Sequence, residues 1–349
     1  MRLVFVLTIV STTACSTASG VRSSTELAQA DSVAWTPGTP LPSGRDHHGT
    51  FVTNRGSNAW LWVVGGNDYK STMADAWRAR IAPDGTLGPW EAGPDLPGQR
   101  AGMGVALNES FVILTGGKDS AQRTITDIFS ARINDDGTLG DWMPAGHLPG
   151  PRFHHATLVD GPHLYVVGGL ERSVSVPTVL RGTISSDGTV SQWDSLGALP
   201  HARSHQSMFV HDRHLYMVGG LDGNPAGKNT PLADVIRAPI LPDGTLGAWE
   251  EISRMDHAYG THATAVYGNA VWLFGGVEDN ARFVDVVLRA PFTAGGRLGA
   301  WKQLARGLPA ARSHVHQVPV YRGKAYSAAG SNRRVVTPEL QIGSFVANP

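Results

Sequence analysis

The sequence predicts an all-β protein built as a six-bladed β-propeller, with the ring closed by its own N-terminal strand. Two series of residues carry that prediction. Tryptophans recur as Trp35, Trp90, Trp142, Trp193, Trp249 and Trp301, at steps of 51 to 56 residues. Glycine pairs keep the same beat at Gly65-Gly66, Gly116-Gly117, Gly168-Gly169, Gly219-Gly220 and Gly275-Gly276, weakening to Ala329-Gly330. A period of about fifty residues is the length of one four-stranded blade, a unit that buries its faces only against neighbours. The 349 residues are therefore one repeat array and not two domains.

Each unit reads Leu-Pro-x-x-Arg, an inner strand, a strand ending in Gly-Gly, a loop, a third strand, an Asp-Gly-Thr turn and the tryptophan. The third unit shows this best. Leu148-Pro149-Gly150-Pro151-Arg152 opens it, residues 154–159 (HHATLV) form the inner strand, and residues 164–169 end in the glycine pair. A third strand over 178–184 then leads to Asp187-Gly188-Thr189 and Trp193. These strands rest on period-two alternation and β-branched content. A large residue recurs in one register of the second strand, as Trp62, Ile113, Tyr165, Tyr216, Trp272 and Tyr326. Recurrence in a fixed register predicts packing between blades, and the six repeat tryptophans are read as core on the same ground. Asp-Gly-Thr-Leu-Gly occurs at 84–88, 136–140 and 243–247, with relaxed copies at 187–190 and 295–299. Asp-Gly between strands predicts a hairpin turn, because glycine takes positive φ without steric cost.

Counting the parts predicts the closure. Trp35 precedes the first unit, while the last unit, from residue 312 to about 346, has no tryptophan after it. The segment around Trp35 should supply the outer strand of the sixth blade and remove the open edge of a linear array. The expected organisation is a leader over 1–14, a tether over 15–32 and one propeller over 33–347.

The leader has a positive Arg2, an apolar stretch over 3–10 (LVFVLTIV) and small residues after it. Eight residues are too few to span a bilayer, which takes roughly twenty. The only cysteine, Cys15, follows Thr-Thr-Ala, which resembles a bacterial lipobox with Thr12 in place of the usual Leu. Cys15 is expected to carry a lipid, since an exposed unpaired thiol is a liability outside the cytoplasm. The Ser, Thr, Ala and Gly that follow read as a flexible tether. Basic and acidic residues balance at 29 each, so the excess positive charge that phosphate neutralisation requires is missing and nucleic-acid binding is not expected.

Residues 33–347, through their Gly-Gly pairs, Trp and Asp-Gly-Thr turns, resemble kelch-repeat propellers. The resemblance implies the fold and leaves function open, since this fold serves many roles. Strand direction puts the loops after Gly-Gly (67–73, 118–124, 170–175, 221–231, 277–282 and 331–334) on the same face as Leu-Pro-x-x-Arg, opposite the Asp-Gly-Thr turns. Loops that diverge on one face while turns repeat on the other point to the divergent face for recognition.

Arg45, Arg100, Arg152, Arg203 and Arg312 enter that face beside the central channel, and Tyr259 takes the place in the fifth blade. Two residues on stand His47, His154, His205 and His314; three residues on stand His48, His155 and His262. In kelch repeats such Arg and His residues belong to the framework, bridging loop carbonyls of adjacent blades. Any that face the channel would make a cationic mouth suited to carboxylates or acidic glycans, with Tyr259 placed to stack on a sugar. Adjacent histidines on a strand point to opposite faces, so His47-His48 and His154-His155 cannot chelate as pairs. Only a ring drawn from different blades could converge, and no metal or other cofactor is expected. No Gly-x-Ser-x-Gly or phosphate-loop motif occurs, and a galactose-oxidase-like radical site would need a cysteine that this propeller lacks.

The resulting expectation is a monomeric binding module on the bacterial cell envelope, lipid-anchored or else secreted, that recognises a protein or glycan and has no catalytic residues. Two alternatives stay open. One is a periplasmic carbohydrate-processing enzyme similar to the sialic acid mutarotases, exported kelch propellers, for which Glu171 or Glu278 close to an Arg and a His would speak. The other is a structural subunit of an envelope complex.

Overall fold

The computed structural model describes residues 30–224, 228–333 and 335–347. Blade one comprises Gly49–Arg55, Asn58–Val64, Ala76–Ile81 and Leu87–Ala92, paired antiparallel in chain order from the axis outwards. Blades two to five repeat that order, with inner strands beginning at Gly104, Ala156, Ser207 and Ala263; short loop strands extend the fourth. Blade six is made of Val320–Tyr321, Lys324–Ala328 and Leu340–Ala347, with Ala30–Pro37 paired antiparallel on its outer side. Trp35 lies opposite Gly343, where an added Cβ would come within 2.8 Å of the indole, so glycine makes room for the closing strand. That strand begins at Ala30, so residues 30–32 belong to it and not to the tether expected to reach 32. The leader, Cys15 and the tether up to residue 29 lie outside the described residues. Among the described residues no helix is long and apolar enough to cross a membrane.

The core is divided into six layers, each between one pair of adjacent blades. Trp62, Ile113, Tyr165, Tyr216, Trp272 and Tyr326 contribute one side chain to each layer and are fully buried. Truncating one of the aromatics to alanine costs about 3–5 kcal/mol where the site cannot collapse. The repeat tryptophans differ from the expectation of uniform burial. Trp142 and Trp301 are buried, while Trp35, Trp90, Trp193 and Trp249 are half-exposed and cover the rim of a layer. Blades diverge radially, so an outer strand meets its neighbour over less of its surface than an inner one.

The Asp-Gly-Thr turns form as expected. Asp84, Asp136, Asp187 and Asp243 each accept the backbone N–H and the hydroxyl of the threonine two residues on. The turn glycines sit at φ between 76° and 86°.

Candidate functional site

Two concentric rings surround the propeller axis on the face that carries the divergent loops. The outer ring is built from the arginines. Arg45, Arg100, Arg152, Arg203 and Arg312 are at most 3 % exposed, and each donates Nη1–H to a carbonyl at the end of the second strand of its own blade. The acceptors are Gly65, Gly116, Gly168, Gly219 and Ser327, at 2.9–3.0 Å. Carboxylates of Asp75, Asp127, Glu171, Asp234 and Glu339 stand beside the guanidinium groups. Burial holds the Arg100 guanidinium down at about 10.

The arginine backbone makes the second half of the clasp. The carbonyls of Arg100, Arg152, Arg203, Arg312 and Arg45 accept the N–H of the second glycine, or Gly330, of the preceding blade at 2.8 Å, and Tyr259 does the same for Gly220. This explains the first glycine of each pair. At Gly65, with φ 58°, a Cβ would lie 2.6 Å from the Arg100 carbonyl oxygen. The arginines therefore bridge blades, but through their backbone; their side chains stay within one blade, unlike the expected contact to neighbouring carbonyls. They form no cationic mouth. Tyr259 is buried, with its hydroxyl 3.5 Å from Glu278, and offers no face for stacking on a sugar.

The inner ring is formed by the residues two positions further on, His47, Gly102, His154, His205, Thr261 and His314. Each N–H donates to the carbonyl of the equivalent residue in the preceding blade, at 2.8–3.1 Å, and the sixth bond, from His47 to His314, closes the circle. All six residues have φ between 52° and 64°, a left-handed conformation that costs a non-glycine residue on the order of 1–3 kcal/mol. The four histidines of this ring, joined by His316, pack against one another on the axis. Ring centroids are 3.9 Å apart for His154–His205, 4.2 Å for His47–His314 and 4.6 Å for His47–His154. Burial pushes the imidazolium form of His314 down to about 3, and burial together with mutual repulsion pushes His154, His205 and His316 well below the usual range. Near neutral pH these are uncharged imidazoles.

Neighbouring side chains orient the rings. Nδ1 of His47 contacts Asp46 Oδ1 at 2.7 Å, Nδ1 of His205 contacts Ser204 Oγ at 3.0 Å, and Nδ1 of His314 contacts Ser313 Oγ at 2.9 Å. Burial opposes ionisation of Asp46, but its hydrogen bond with His47 overcomes that and holds the carboxyl well below the usual range. His48 and His155 point away from the axis, as strand alternation requires, and bond Thr50 and Thr115. His262, the third of that series, is also buried.

A cavity of about 450 Å³ opens above this ring on the divergent face. Its floor is His47 and His154, and its walls include Tyr69, Lys118, Gln122 and Phe153. The Lys118 ammonium lies 4.2 Å from the centre of the Phe153 ring. From the opposite face a second cavity of about 410 Å³ runs along the inner strands to His316 and Gln317. Gln317 joins the inner strands of the next two blades, accepting from Thr50 N–H at 2.9 Å and donating to the Val105 carbonyl. His316, Tyr69, Lys118 and Gln317 were not singled out from the sequence. Only His316 carries a signal there, as a further histidine two residues after His314. Away from the axis, Glu278 is buried, bonded by Arg282 Nε at 2.8 Å, with His257 Nδ1 at 3.6 Å. Among the described residues the ion-pair partner of Glu171 is Arg152, at 2.7 Å.

No protein-family profile matches the chain. Human kelch-like protein 15 (Homo sapiens) is 24 % identical over 214 residues, covering 59 % of this chain and 33 % of that protein. Alpha-scruin of Limulus polyphemus is 26 % identical over 204 residues, covering 56 % of this chain and 21 % of that protein. The chain thus spans a third or less of the length of these curated relatives. Among solved structures, YjhT superposes with a TM-score of 0.65 at 12 % identity, over 87 % of this chain and 95 % of that one. The chain is a kelch-repeat β-propeller. Likeness to YjhT at this identity carries the fold alone. In this kelch propeller the repeated residues close the ring, and the cavity above it is walled by Tyr69, Lys118 and Gln122 from loops that do not repeat.

Proposed function

We propose that this propeller is an envelope-anchored binding module that takes a protein or glycan ligand on its divergent face. The observation that carries the reading is the cavity of about 450 Å³ walled by Tyr69, Lys118, Gln122 and Phe153, on the face where loops differ from blade to blade. A partly desolvated ammonium on an aromatic ring, beside amide and hydroxyl donors, suits a carboxylate on an acidic side chain or an acidic sugar. Cys15 supplies the anchor through its lipid. Crosslinking in intact envelopes and a glycan panel on the isolated propeller, each with wild type and Lys118→Glu, test the site. A partner or glycan lost on Lys118→Glu supports it; retention of every ligand by that variant removes the cavity from the reading. Partitioning of Cys15→Ala into the aqueous phase of a detergent extract supports the anchor, and unchanged partitioning removes it.

A second reading, a carbohydrate-processing enzyme of mutarotase type, is favoured by Glu278 lying against Arg282 and His257. Accelerated anomer exchange of sialic acid that Glu278→Gln abolishes would replace the binding-module proposal.

A further inference from the structure

We propose that His47, His154 and His205 bind one divalent first-row transition-metal ion of the imidazole-preferring kind, such as Zn2+ or Cu2+, on the propeller axis. Blades one, three and four each supply one imidazole, and the ligating nitrogens already lie within 4.8 Å of one another. Nitrogens at ~2.0–2.1 Å from a tetrahedral ion stand ~3.3 Å apart. The rings therefore need to close by up to about 1.5 Å, within reach of imidazole rotation.

Three further observations point to a ligand here. Asp46 Oδ1 stands 2.7 Å from Nδ1 of His47 and Ser204 Oγ stands 3.0 Å from Nδ1 of His205, so with Nδ1 as the donor in each pair Nε2 of each ring offers a lone pair. A carboxylate behind a ligating histidine fixes its tautomer and raises its basicity, and the buried Asp46 charge offsets that of a cation. Among the described residues the imidazoles of His154 and His316 make no hydrogen bond, although His154 Nδ1 and His316 Nε2 are shut off from solvent. Neutral imidazoles in van der Waals contact around a common centre leave these nitrogens without a partner that an ion would supply. Finally, Gly102 takes one of the six ring positions without a side chain. A Cβ there would come within 2.7 Å of the His154 ring, so the glycine allows that ring to lean onto the axis.

The donor set limits the ion. It contains no thiolate, and Asp46 is turned to His47, so hard oxygen-seeking ions such as Ca2+ and Mg2+ find few ligands while Zn2+, Cu2+ and Ni2+ find several. His47 and His154 also floor the cavity on the divergent face, so a bound ion lies beside it. The site stands whether or not that cavity takes a ligand.

The test uses untagged chain stripped with chelator, titrated with Zn2+, Cu2+ and, as a hard-ion control, Mg2+. Calorimetry and elemental analysis should give one Zn2+ or Cu2+ per chain, with no Mg2+ binding. His205→Ala should weaken binding at least 100-fold and Asp46→Asn about tenfold, while His257→Ala, beside Glu278 and Asp279 away from the axis, should leave it unchanged. Should His205→Ala fail to fold, Cu2+ loaded into wild type reports the ligands directly through nitrogen hyperfine splitting in its electron paramagnetic resonance spectrum. Sub-stoichiometric binding to wild type, binding lost with His257→Ala, or a copper spectrum lacking several nitrogen ligands would each overturn the proposal.

Discussion

The hydroxyl of Tyr165 donates a 2.7 Å hydrogen bond to the carbonyl of Gly244, joining the second strand of blade three to the outer turn of blade four. Tyr216 reaches Gly296 at 2.6 Å and Tyr326 reaches Gly85 at 3.0 Å in the same way. In blade one, Trp62 donates to Thr53, whose hydroxyl donates to Gly137. In four of the six blades the residues that recur as packing thus also latch the blade to the next, at the positive-φ glycine of the turn, while Ile113 has no donor and Trp272 bonds the Tyr267 carbonyl of its own blade. Tyr165→Phe keeps the ring but leaves a buried carbonyl unpaired, so it should destabilise by about 1–3 kcal/mol. Urea unfolding measures this, and an unchanged midpoint would show that the latch contributes only packing.

The arginine clasp predicts a ranking. Arg203 is fully buried and its partner Asp234 is 4 % exposed, whereas Glu171, the partner of Arg152, is 40 % exposed on its side chain. Arg203→Ala should cost about 3–5 kcal/mol, because it strands a buried carboxylate as well as a glycine carbonyl. Arg152→Ala should cost about 1–3 kcal/mol, since Glu171 can turn to water. Thermal melts of the two variants check the order, and equal losses would assign the stability to the carbonyl bond alone.

The sixth blade holds the one deviation in the Gly-Gly series. Ala329 stands where the other blades have the first glycine and is held at φ 53°. Left-handed backbone costs alanine roughly 1–2 kcal/mol relative to glycine, partly offset by the entropy glycine loses on folding. Ala329→Gly should therefore raise stability by about 0.5–1 kcal/mol, while Gly65→Ala should lower it by more than 1 kcal/mol as the new Cβ meets the Arg100 carbonyl. Differential scanning calorimetry of both variants reads the two signs.

Acid should unfold this propeller earlier than carboxylate protonation alone would. Burial holds His48, His155 and His314 at about 3 and His262 at about 4, against 6.5 in an unfolded chain. Between those values the unfolded state binds protons that the folded state refuses. Stability is thus complete above about pH 6.5 and falls on acidification towards pH 3–4, by about 1.4 kcal/mol per pH unit for each such histidine. Urea midpoints at pH 7, 6 and 5 should fall steadily, and the slope should shrink in His155→Gln. A flat profile down to pH 4.5 would show that these histidines charge within the folded protein.

Closure predicts the outcome of truncation. Removing residues 1–37 takes away the outer strand of blade six and exposes the edge of Leu340–Ala347, together with the Phe274 ring that Trp35 meets edge-on at 5.7 Å. The melting temperature should drop by more than 10 °C, and the open edge should promote self-association. Removing only residues 1–29 keeps every described pairing and should be nearly neutral. Melts and light scattering distinguish the two, and equal behaviour would mean that the strand at Trp35 does not seal the ring.

The sequence by itself determined the blade count, the strand order and the shared sixth blade. A repeat writes each structural requirement six times, so a glycine that must take positive φ or a side chain that must fill an interface appears as a periodic mark. The burial of Arg45 and its four counterparts was legible only as a repeated structural job, because which carbonyl a guanidinium reaches depends on where the second strand of its own blade ends. The axis was decided by tertiary structure alone. His47, His154 and His205 are more than fifty residues apart in successive steps, and strand alternation says only that each points inwards. They meet because six backbone hydrogen bonds close a circle small enough for imidazoles from different blades to touch, a consequence of ring closure that no single repeat contains. The cavity of Tyr69 and Lys118 belongs to the same class. Its walls come from the segments that do not repeat, and their meeting place is set by the geometry of the ring beneath them.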